Sequence, residues 1–150
     1  MKKITLMTLL LVLFPLKLYA LIEVDITRGN LNPLPIAVSA LYSDKETTES
    51  LKKDIKVDQI GEQISEVIEN NLRATGLFNP LEKKAFLQKP DVAHLKPRFE
   101  DWSLIKAQAL ITGKVEFKDD KVRVEFRLWD VLAAREMLAL AFTTVPNNWR

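Results

Sequence analysis

The sequence predicts an α/β (α+β) domain in which a mostly antiparallel sheet carries helices packed on one face. Three observations predict it. Between 109 and 144, apolar and polar residues alternate with period two in three successive runs, the mark of half-buried strands. One stretch, 57–75, repeats its apolar residues at helical spacing instead. The links between the runs are short and polar, as antiparallel turns require.

Taken in order, the chain opens with Lys2 and Lys3, an apolar run from Ile4 to Leu16, and the small residue Ala20. That is the build of a secretory signal, and it predicts cleavage between Ala20 and Leu21 and export of the remainder. Pro15 and Lys17 break the run short of the roughly 20 residues that a membrane-spanning helix needs. Cysteine is absent, which excludes both a lipid-anchored start and disulfide stapling, so an exported fold must be held by packing alone. With 47% hydrophobic residues in 150, one domain with a real core is expected. The formal charge of +2 falls to −1 once Lys2, Lys3 and Lys17 are set aside, leaving 19 basic residues against 20 acidic ones. A nucleic-acid partner is excluded on that balance.

Ile22, Val24 and Ile26 alternate with Glu23, Asp25 and Thr27, a strand pattern at the very start of the mature chain. Such a terminal strand either joins its own sheet or pairs with another chain. Gly29, Asn30 and Pro33 punctuate, and residues 34–41 follow as a short apolar strand. From Tyr42 to Lys56 the chain is polar without clear period and is expected to be an exposed loop. The helix over 57–75 places Ile60, Ile64, Val67, Ile68 and Leu72 on one stripe, with Asp58 as N-cap and Gly76 as stop. Residues 77–81 read as a turn, 83–99 as irregular under Pro90 and Pro97, and 102–108 as a short helix capped by Asp101. The meander then runs through Val115, Phe117, Val122, Val124, Phe126, Leu128, Leu138, Leu140 and Phe142 on one face. Pro146 and Asn147 resemble a helix opening.

No catalytic constellation is visible. His94 has no cysteine or carboxylate partner at metal-ligand spacing and is expected to be a solvated loop residue; no metal and no cofactor are expected. Asp119 and Asp120 fit a hairpin turn better than a carboxylate pair. Glu62, Glu66, Glu69 and Arg73 are expected to form a solvated face, and Trp129, on the charged side of its strand, is expected to be covered by another element. No nucleophile elbow or phosphate loop is present, so catalytic residues are not expected.

Several runs together resemble the TolB amino-terminal domain family of the Tol-Pal envelope system. They are IEVDITRG at 22–29, PIAV at 35–38, LRATGLFNP at 72–80 and FEDW at 99–102, followed by ALITGKV at 109–115, VEFRLWDV at 124–131 and FTTVPNNWR at 142–150. The resemblance implies a periplasmic, non-enzymatic domain built as a mixed sheet with two helices against it and followed by a β-propeller. It implies a role in outer-membrane invagination at division, and attachment to the outer membrane only through partners. It also implies a segment that binds the C-terminal domain of TolA, which maps onto Leu21, Ile22, Glu23, Val24, Asp25, Ile26, Thr27, Arg28 and Gly29. Residues 1–20 are then the signal and 21–150 the domain, incomplete at its C-terminus. The second covering helix and the propeller are absent from the sequence, and with the propeller goes the family's main surface for Pal. The alternative expectation is a non-functional remnant of a split or frameshifted reading frame.

Overall fold

The computed structural model describes residues 32–55 and 59–148. Strands are β1 (Leu34–Val38), β2 (Tyr42–Ser43), β3 (Phe78–Pro80), β4 (Ala109–Lys118), β5 (Lys121–Asp130) and β6 (Arg135–Thr144). Helices are α1 (Lys45–Ile55), α2 (Ile60–Ala74), α3 (Pro90–Ala93) and α4 (Phe99–Leu104), with single 3-10 turns at Lys83–Ala85 and Pro146–Asn148. The strands form one mixed sheet in the order β3-β1-β4-β5-β6, with β2 paired to β4 off that path. β1 pairs in parallel with β3 and β4, whereas the long ladders β4–β5 and β5–β6 are antiparallel. The expected meander and mixed α/β fold are present.

The hairpin between β4 and β5 turns on Asp119 and Asp120, both left-handed at φ 52° and 56°. Two consecutive left-handed residues give the turn whose twist matches that of the strands, and aspartate tolerates that region better than most. The register then sets Val115 against Val124 and Phe117 against Val122. These side chains meet Leu41, Leu51, Ile60 and Ile64 in one buried cluster under α1 and α2. The alternate side chains serve the other face. Ala37, Leu110 and Trp129 form a second cluster with Ala93, Trp102 and Ala107 under α3 and α4. Helical cover therefore extends to both faces instead of the one expected, because Leu110 and Trp129 supply apolar anchors on the face that also carries the charged residues of the meander.

The expected loop at 42–56 is instead β2 followed by α1. Asp44 caps the helix, its Oδ1 accepting the Thr47 N–H at 2.7 Å, and the buried Thr47 and Leu51 sit one turn apart. A stripe of so few apolar residues escapes a periodicity count, yet Leu51 is fully buried. α1 is thus a second helix on the α2 face, in a stretch expected to be an exposed loop. The predicted turn at 77–81 is the edge strand β3, recruited by parallel pairing with β1, a non-local contact with no local signal. α2 begins at Ile60, with Gln59 in the cap position at φ 56°, and the proposed cap Asp58 lies outside the described residues. Gly76 ends it as expected, in the left-handed conformation at φ 71°. The short helix expected over 102–108 starts earlier, at Phe99, so Asp101 lies within its first turn and not at its cap.

Candidate interaction surface

The residues that the sequence nominates for TolA, Leu21 to Gly29, and the cleavage pair Ala20 and Leu21 lie outside the described residues. The surfaces that the described residues present are a free strand edge, an apolar trough beside it, and a charged sheet face behind it.

β6 is the last strand in the sheet order of the described residues; one side of its backbone is paired with β5, and no described strand pairs with the other. Its even-numbered residues continue the apolar face of the meander: Leu138 is opposite Leu128, Leu140 opposite Phe126 and Phe142 opposite Val124. α2 sets Ile60, Ile64 and Ile68 over β4 and β5 and leaves these β6 positions exposed. Leu138, Leu140 and Phe142 are 48%, 46% and 57% exposed, against 7% for Val124 one strand inward. Between α2 and β6 runs an apolar trough of about 280 Å³ lined by Ile68, Ile111, Phe126, Leu128, Leu138 and Leu140. An apolar stripe flanking an open edge marks an interaction surface or an aggregation hazard.

On the opposite face the meander is charged and mutually paired. Lys114 lies 2.7 Å from Glu116 and 3.9 Å from Glu125, Arg123 lies 3.1 Å from Glu125, and Arg127 lies 2.7 Å from Glu136. Toward the edge the charges give way to Ala139 and Ala141, both exposed. Trp129 is buried on this face as expected, its Nε1–H donating to Thr112 Oγ1 at 2.9 Å and its ring meeting the edge of Phe99. A second indole is held similarly: Trp102 Nε1–H donates to Gln88 Oε1 at 3.1 Å, and Gln88 also donates to Asp101 Oδ2. Arg98 grips the same carboxylate at 2.7 Å, and that charged hydrogen bond holds the Asp101 carboxyl below the usual carboxylate value.

Two side-chain expectations change. His94 is not a solvated loop residue: it is half-buried, stacked on Tyr42 at 4.4 Å and 8°, with Nδ1 3.0 Å from the Pro90 carbonyl oxygen. The acidic run on α2 is only partly a solvated face. Lys83, 21 residues from Glu62 in sequence, places Nζ 2.6 Å from Glu62 Oε1, 2.8 Å from Ser65 Oγ and 3.3 Å from Glu69 Oε1. No spacing rule connects these positions; the return of the chain after β3 does. Asp119 and Asp120 are turn residues, as expected. Among the described residues no group of three or more His, Asp or Glu is placed to hold a metal ion, and no helix is long and apolar enough to cross a membrane.

Among the described residues the surface that stands out is an unpaired strand edge beside an apolar trough, a shape that suits association with another chain. Comparison with known proteins gives the family. The family model of the TolB amino-terminal domain matches residues 22–137, and the chain belongs to that family. The Tol-Pal system protein TolB of Pelagibacter ubique (strain HTCC1062) is 69% identical over 142 residues, which are 95% of this chain and 32% of the relative. The chain therefore spans about a third of the length of that curated relative. Among solved structures, TolB from Acinetobacter baumannii superposes with a TM-score of 0.53 at 18% identity, covering 79% of this chain and 25% of that one. The C-terminal domain of LpoB from Salmonella enterica gives 0.50 at 10% identity, over 79% and 87%. At such identities these likenesses concern the fold alone.

Proposed function

We propose that this domain is a non-enzymatic component of the Tol-Pal system in the periplasm, exported by residues 1–20 and held near the outer membrane only through its partners. Its task is to recruit the C-terminal domain of TolA through residues 21–29, in support of outer-membrane invagination at division. The observation that carries the reading is that the family match begins at residue 22 and so takes in the alternating strand. In strand addition the backbone supplies the ladder while side chains at every second position fill pockets, which suits Ile22, Val24 and Ile26. Pal is not assigned to this domain. The remnant reading draws no particular support from the fold or the family match.

The test is a calorimetric titration of residues 21–150 with the C-terminal domain of TolA, beside a chain lacking 21–29 and a Val24→Pro variant. Proline removes a ladder donor and fixes φ, so pairing at that position is lost. Binding that disappears in both altered chains supports the reading; binding unchanged by Val24→Pro sinks it.

A further inference from the structure

We draw no further inference here: the strongest candidate, the open crevice of about 440 Å³ between the first turn of α2 and the opening of α3, lined by Ser43, Thr48, Gln59, Glu62, Lys89 and Asp91, rests on a helix N-terminus and an exposed lysine, and nothing in the structure shows what would occupy it.

Discussion

Replacing Gly61 with alanine isolates the contact on which the α2 layer rests. A Cβ built at Gly61 lies 1.8 Å from the Leu41 carbonyl oxygen and 2.8 Å from its carbonyl carbon, backbone atoms that cannot swing aside. The first turn of α2 would have to withdraw by about 1.5 Å to reach ordinary contact. It would drag Ile60 and Ile64, 0% and 6% exposed, out of the buried cluster and stretch the bond from the Leu41 N–H to the Gly61 carbonyl, now 3.1 Å. Overpacking of this kind costs about 1–3 kcal/mol, and a loosened backbone hydrogen bond about 1 kcal/mol more. Alanine's better helix propensity returns about 1 kcal/mol. A net loss of about 1–3 kcal/mol corresponds to a fall in Tm of roughly 5–12 °C for a domain of this size. Urea unfolding followed by circular dichroism should show a lower midpoint with unchanged slope. Gly76→Ala is the comparison, because nothing lies within 4 Å of its added Cβ and only the left-handed φ of 71° opposes the change; its cost is about 1–2 kcal/mol. A Gly61→Ala protein as stable as the parent would mean that α2 is not pressed onto the Leu41 backbone, and the reasoning for that face would fail.

Leu51→Ala tests the helix absent from the sequence-level expectation. Leu51 is fully buried, so truncation should cost about 2–5 kcal/mol, whereas a true loop residue would lose almost nothing on chemical denaturation. Thr112→Val strands the buried Trp129 N–H and should cost about 1–3 kcal/mol; adding Trp129→Phe should recover part of it, which a double-mutant cycle reads directly. Asp101 gives a pH signature. Its carboxyl titrates below the ordinary 3.8, so its stabilising contribution is present above that value and is lost as pH falls through the lower folded value. Asp101→Asn should flatten the acid limb of the stability profile, and an unchanged limb would remove Asp101 from that account.

The long meander, its two-residue turn, the stop at Gly76 and the α2 stripe were legible because each is written in neighbouring residues: period two, period 3.6, paired aspartates, a glycine. β3 and α1 were not. Phe78 and Asn79 look like a turn until β1 comes alongside, and the Leu51 helix is too polar to announce itself until β4 and β5 supply the apolar floor under it. Lys83 likewise meets Glu62 and Glu69 only because the chain doubles back. The alternation of apolar and polar residues over 21–29, the absence of cysteine and the balance of charge can be read from the chain alone, since they need no neighbours. That β6 ends the described sheet, that α2 leaves its apolar residues exposed, and that Ala139 and Ala141 lie outside Arg127 and Glu125 follow from the folded arrangement alone. Strand order and layer coverage are set by contacts between residues far apart in the chain, and no local pattern encodes which strand is left at the end.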